Sequence, residues 1–147
     1  MLLLLFETSD GRYALESQQI VEIIPLLQPK RIPGAPAYVA GIINYRGVPV
    51  PVFDLCALTG KAPCRQYYST RIILVEYPLA VDQKRLIGLI AERATDVVRC
   101  SDSDIRSSGV LLEKPVESAS AEAGQEEIVQ MFNVERIIPA EVVRGVF

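Results

Sequence analysis

The sequence predicts an all-β protein, mainly β with short helices, on three observations. Short β-branched or aromatic runs recur along the chain; Gly, Pro, Asp and Ser separate them at intervals that suit a sandwich or small barrels; and no long helical periodicity is present. With 147 residues, 50% of them apolar, the chain is large enough to build one domain, residues 1–147, around a real core.

The elements follow in order. Leu2 to Thr8 and Arg12 to Glu16 flank Ser9-Asp10-Gly11, and an Asp-Gly pair supplies the positive backbone angles of a tight hairpin. Ile20 to Pro25 is a third apolar run, ended by a proline that cannot donate to a ladder. Pro29, Pro33 and Pro36 make Gln28 to Tyr38 an extended connector. Gly41 to Tyr45 and Val48 to Phe53 form a hairpin around Arg46-Gly47, with Pro49 and Pro51 arguing for an edge or bulged position. Asp54 caps a short helix over Leu55 to Thr59, and Gly60 marks its end. Arg71 to Tyr77 and Arg85 to Ile90 pair around the loop Ala80 to Lys84, and Thr95 to Cys100 continues the sheet. Ser101 to Ser108 is polar and acidic; Glu117 to Glu127, built of Ala, Glu, Ser, Gly and Gln, reads as a loop or a short exposed helix.

One internal echo stands out. Val52-Phe53-Asp54-Leu55-Cys56-Ala57-Leu58 parallels Met131-Phe132-Asn133-Val134-Glu135-Arg136-Ile137, each an apolar strand ending in an Asx cap and one helical turn. Two similar half-domains would account for it, as would a coincidence between two strand-to-helix corners, and so few residues favour the coincidence.

Composition excludes several functions. A formal charge of -3 provides no basic footprint for phosphate backbones, which argues against a β-barrel nucleic-acid binder, the main alternative as an interaction module. The chain has no histidine, which removes the commonest general base and metal ligand together. No Gly-rich phosphate loop, no G-x-S-x-G elbow and no suggestive carboxylate pair is present, so a small hydrolase or transferase is disfavoured. Cys56, Cys64 and Cys100 are odd in number and contain no CxxC pair, so neither a disulfide nor a zinc site is expected, and they read as small hydrophobes in a reducing cytoplasm. Met1 to Phe6 is apolar but lacks a basic flank and a cleavage site, and reads as a strand. No run is long enough to span a bilayer, so no direct membrane insertion is expected.

Three stretches carry a family resemblance: Ile20-Val21-Glu22-Ile23; the run Ile32-Pro33 to Gly41 through Pro36, Tyr38 and Val39; and Asn44-Tyr45-Arg46-Gly47-Val48-Pro49-Val50-Pro51-Val52-Phe53-Asp54-Leu55. Together with Arg71 to Tyr77, Ile87 to Ile90 and Ile128 to Val134, they resemble the CheW family over nearly the whole chain. The resemblance implies two five-stranded SH3-like β-barrels sharing one hydrophobic core, with no catalytic centre, no cofactor and no metal. It implies a cytoplasmic chemosensory adaptor, recruited to membrane-bound receptor arrays, that couples the signalling tips of methyl-accepting chemotaxis receptors to the regulatory domain of a CheA-type histidine kinase. Two departures stand out: the family's aromatic-x-x-Gly strand motif is missing near Val110 to Glu117, and Ala91-Glu92 replaces a frequent Val-Asp. The Asn-Tyr-Arg-Gly and Phe-Asp-Leu-Cys wording is also similar to divergent adaptors of alternative, Wsp-type pathways.

Arg46 leads the candidate partner-binding residues. Alone it would be an ordinary turn arginine, but inside the family pattern it becomes an interface residue whose guanidinium can make a planar fork to a carboxylate or carbonyl. Asn44 belongs to the same motif. Gly41 and Gly47 are expected where the backbone conformation or a close approach excludes a Cβ. For Ile20 and Glu22 the resemblance implies exposure in a receptor-binding groove, with the opposite-facing Ile23 in the core. Tyr67-Tyr68 is expected to pack.

Overall fold

The computed structural model describes residues 1–60, 62–101, 110–113 and 127–145. Among the described residues nine strands alternate with short helices: β1 Leu2–Thr8, β2 Gly11–Glu16, a single 3-10 turn at Ser17–Gln19, β3 Ile20–Pro25, β4 Val39–Tyr45, β5 Val48–Asp54, α1 Leu55–Thr59, β6 Arg71–Ala80, β7 Gln83–Arg99, β8 Val110–Glu113, β9 Glu127–Met131, α2 Val134–Ile137 and α3 Ala140–Gly145. The two polar segments expected near 101–108 and 117–127 lie outside the described residues apart from their ends, as does the second half, 114–117, of the Val110 to Glu117 region.

The strand β7 is the spine. Sequence reading broke it into two pieces, but it runs unbroken for 17 residues and belongs to two sheets in turn. Up to Ala91 it pairs antiparallel with β6 and, over Gly88 to Ile90, parallel with β5. From Glu92 onward it pairs with β1. Between the pairs Leu5↔Asp96 and Glu7↔Glu92 the register shifts, and Arg93 there has a φ of 50°. Such a bulge bends the strand and lets it leave one sheet for the other. Each set then has five strands: β4-β5-β7-β6-β3, and β7-β1-β2-β9-β8. This is the two-barrel architecture.

Strand alternation distributes the core. Ile43, Val50, Val52, Ile72, Leu74 and Ile90 fill the β4–β7 barrel, while Leu3, Leu5, Ala14 and Val129 fill the other. The opposite faces of the same strands, including Leu4, Phe6, Leu15, Phe53, Ile73, Val75, Ile87 and Leu89, meet in a larger shared core together with Phe132 and Ile138. The β1 strand is therefore buried on both faces, which explains its continuous apolar run. Gly88 faces the first barrel where a Cβ would lie 2.9 Å from Ile72 Cγ2 and 3.3 Å from Val52 Cγ2.

The internal echo is a plan used twice and not the coincidence favoured on sequence. At Val52 to Asp54 β5 runs parallel to β7, then Asp54 Oδ1 accepts from Ala57 N at 3.1 Å and opens α1. Val129 to Met131 of β9 runs parallel to β2, then Asn133 Oδ1 accepts from Arg136 N at 3.2 Å and opens α2. In both, the phenylalanine before the cap enters the shared core, so the same packing problem is solved by the same short sequence.

Two further expectations are corrected. Cys56 and Cys64 form a disulfide, with Cα atoms 5.0 Å apart. Their spacing holds no signal for this; the chain after α1 turns back so that Cys64 N donates to both oxygens of Asp54, at 3.1 and 3.0 Å, which brings Cys64 to Cys56. Tyr68 does not pack, being fully exposed, and Tyr67 stays 42% exposed, its hydroxyl accepting from Arg65 Nη1 at 3.0 Å.

Candidate functional site

The β4–β5 hairpin turns through two residues, Arg46 and Gly47, between the paired Tyr45 and Val48. Their φ values, 51° and 83°, are both positive, as a type I′ turn requires. Glycine takes such a φ freely, whereas a residue with a Cβ is disfavoured there by about 1–2 kcal/mol. Asn44 supports the corner by accepting from Gly47 N at 2.8 Å through Oδ1. An arginine is thus held in a backbone conformation that its type does not favour, at the exposed tip of the hairpin.

The β4 and β3 strands are the two outer strands of their sheet, and curling the sheet brings them together. Two contacts close this seam. At one end, Lys30 of the proline connector bridges to Ile42 through two backbone hydrogen bonds of 2.9 Å. Gly41 permits it: its φ is 144°, and a Cβ would stand 2.2 Å from the Lys30 carbonyl oxygen. At the other end, Arg46 Nη2 lies 3.5 Å from Glu22 Oε2, the Tyr45 hydroxyl donates to the same oxygen, and the Arg46 guanidinium sits 5.1 Å from the Tyr45 ring centre. The bond to Glu22 is the main cause that pushes the Tyr45 hydroxyl above its ordinary pKa; desolvation and the Glu22 charge add to it, and the Arg46 charge opposes it.

Five of the six sequence-derived residues therefore belong to the seam. Glu22 and Arg46 meet, Asn44 and Gly47 shape the turn, and Gly41 admits the connector. Ile20 is elsewhere, half-buried against the shared core, while Ile23, expected inside, is exposed at 38%. The alternation itself holds, with Ile20, Glu22 and Ile24 on the half-buried face and Val21, Ile23 and Pro25 on the outer one; it is the inward face that sequence assigned wrongly. Sequence reasoning missed Tyr45 as the link between Glu22 and Arg46, although it stood inside the motif. It also missed a cleft of about 430 Å³ where the two barrels meet, lined among others by Gln18, Val21, Glu76, Asn133 and Glu135. No local pattern could have found that cleft, because its walls come from chain segments more than fifty residues apart.

A description of the CheW-like domain matches residues 2–142. The chain belongs to the CheW-like domain family. Among curated relatives it is 31% identical over 106 residues to the chemotaxis protein CheW of Bacillus subtilis, covering 72% of this chain and 65% of that protein. It is 29% identical over 104 residues to CheW of Rhizobium meliloti, covering 71% and 64% respectively. The chain thus aligns with about two thirds of the length of these CheW proteins. The crystal structure of the scaffolding protein TtCheW from Thermoanaerobacter tengcongensis superposes with a TM-score of 0.68 at 22% identity, covering 92% of this chain and 86% of that one, so the CheW fold is shared. Away from the seam, Asp54, Cys56 and Cys64 bring a carboxylate and two sulfurs within 4.8 Å of one another.

Proposed function

We propose that this chain is a non-catalytic coupling adaptor of a cytoplasmic chemosensory system, a single domain that binds a receptor signalling tip and the regulatory domain of a CheA-type kinase through separate faces. The observation that carries the reading is the Glu22–Tyr45–Arg46 cluster. It assembles residues from two strands at an exposed corner and keeps an arginine where glycine or asparagine would fold more easily. Side chains retained at a conformational cost are characteristic of functional surface. An exposed ion pair of this kind adds little stability but presents a fixed charge pattern, and charge complementarity sets partner choice and register.

The cleft between the barrels suits the second partner. It combines an apolar wall, Val21 and Val134, with the charges of Glu76, Lys84 and Glu135, as a groove for an amphipathic helix does. Among the described residues no helix is long and apolar enough to cross a membrane, so membrane proximity would come through the receptor. Titration of the purified chain against a receptor tip and a kinase regulatory domain from its own operon tests the reading. Both should bind and Arg46→Glu should weaken one of them; binding of neither would overturn it.

A further inference from the structure

The loop after α1 carries chemistry that the adaptor reading leaves unused. Cys56 is buried on α1, and Cys64 is half-exposed on the returning loop. Beside them stand the buried Asp54 carboxylate and Glu92, whose Oε2 is 3.7 Å from Cys56 Sγ. The Asp54, Cys56 and Cys64 donor atoms lie within 4.8 Å of one another. An ion held at about 2.3 Å from sulfur and about 2.0–2.2 Å from oxygen keeps its ligand atoms within roughly 3.3–4 Å of each other. Three donors are already gathered near that scale, and Glu92, 3.7 Å from one of them, is the neighbour placed to complete a fourth.

The supporting contacts fit the same use. Asp54 is oriented by N–H groups of Ala57 and Cys64, and Glu92 Oε1 accepts from Arg65 N at 3.4 Å. Carboxylate ligands are ordinarily fixed by such outer hydrogen bonds. Two sulfurs with carboxylate oxygens select a thiophilic divalent ion over magnesium or calcium, which take oxygen alone. The disulfide is compatible with this, because in a reducing compartment the pair is held as thiols.

We propose that Cys56 and Cys64 in their dithiol form, with Asp54 and Glu92, bind a divalent cation of the zinc class, and that the disulfide is the ion-free state of the same site. A dithiol reductant delivers two electrons and two protons to the S–S bond and is itself oxidised to a disulfide. Zinc then replaces the two thiol protons, which leave to solvent. The ion ties the loop that carries Cys64 to α1 and to Glu92, where β7 passes from one sheet to the other. None of these residues belongs to the Glu22–Arg46 seam, so this site stands or falls independently of the adaptor reading.

The test uses the full chain, reduced and then freed of reductant, titrated with Zn²⁺ under native mass spectrometry and with Cd²⁺ by its thiolate charge-transfer absorbance. One ion per chain, two protons released per ion, and a raised Tm are expected. The oxidised chain should lose the charge-transfer band, Cys64→Ser should lose at least half of it, Glu92→Gln should bind about tenfold or more weakly, and Cys100→Ser should bind as the parent does. If Cys64→Ser fails to fold, Glu92→Gln decides, since it leaves both sulfurs in place. Failure of the reduced chain to bind, or equal binding by the oxidised chain or by Glu92→Gln, overturns the proposal.

Discussion

Gly41→Ala should destabilise the chain by about 2–6 kcal/mol, from two sources. The new Cβ would meet the Lys30 carbonyl oxygen at 2.2 Å and its carbon at 2.6 Å. That carbonyl cannot step aside without breaking the two 2.9 Å bonds that join Lys30 to Ile42. Their loss costs about 0.5–1.5 kcal/mol each, or roughly 1–3 kcal/mol together. The φ of 144° adds about 1–3 kcal/mol of backbone strain for a residue with a Cβ. For a chain near 150 residues each kcal/mol moves Tm by about 2–4 °C, so a fall on the order of 10 °C is expected. Gly47→Ala is the matched control: its φ of 83° also demands glycine, but nothing lies within 4 Å of its would-be Cβ, so only strain is incurred. Urea unfolding followed by circular dichroism on both variants separates steric clash from strain. Equal destabilisation of the two would refute the claim that Gly41 exists to admit the connector.

Other expectations concern the turn, the barrel interior and alkaline pH. Arg46→Asn installs a residue type that a type I′ turn prefers, so Tm should hold or rise while partner affinity falls; unchanged affinity in a binding titration would remove Arg46 from the interface. Gly88→Ala should overpack the first barrel against Ile72 and Val52 and cost about 1–3 kcal/mol, read as a lowered Tm. Burial, aided by the bond to Asp10 and by its charge, pushes the Tyr13 hydroxyl from 10.0 up to about 12. Because the folded value is raised, the stabilisation is complete below pH 10 and is lost as pH rises through about 12; Tyr13→Phe should flatten that part of the Tm-against-pH curve.

Much of the local structure was legible because each signal acts over a few residues. Asp10-Gly11, the Asp54 cap and the prolines at 49 and 51 each constrain their own backbone, and the strands fall where those signals place them. At β3 the inference failed for an equally physical reason. Both faces of the strand carry isoleucine, and it is the Ile20, Glu22 and Ile24 face that packs inward while Ile23 is exposed. Alternation separates a strand's two faces but does not say which is the inner one when each holds an isoleucine. The continuity of β7 was hidden for another reason, since the bulge at Arg93 is an irregularity that only pairing with β1 reveals.

The amino-acid order alone settled the class of fold, the hairpins, the capped corners and, through the resemblance carried by residues 20–55, the family. Partnership between distant residues was decided by the closed fold. Glu22 meets Arg46 because a five-stranded sheet curls until its outer strands touch, and Cys64 meets Cys56 because Asp54 turns the chain back upon α1. The cleft between the barrels exists because β7 is long enough to serve both. Local sequence constrains torsions and one-dimensional spacing, whereas these contacts depend on how sheets curl and cross in space.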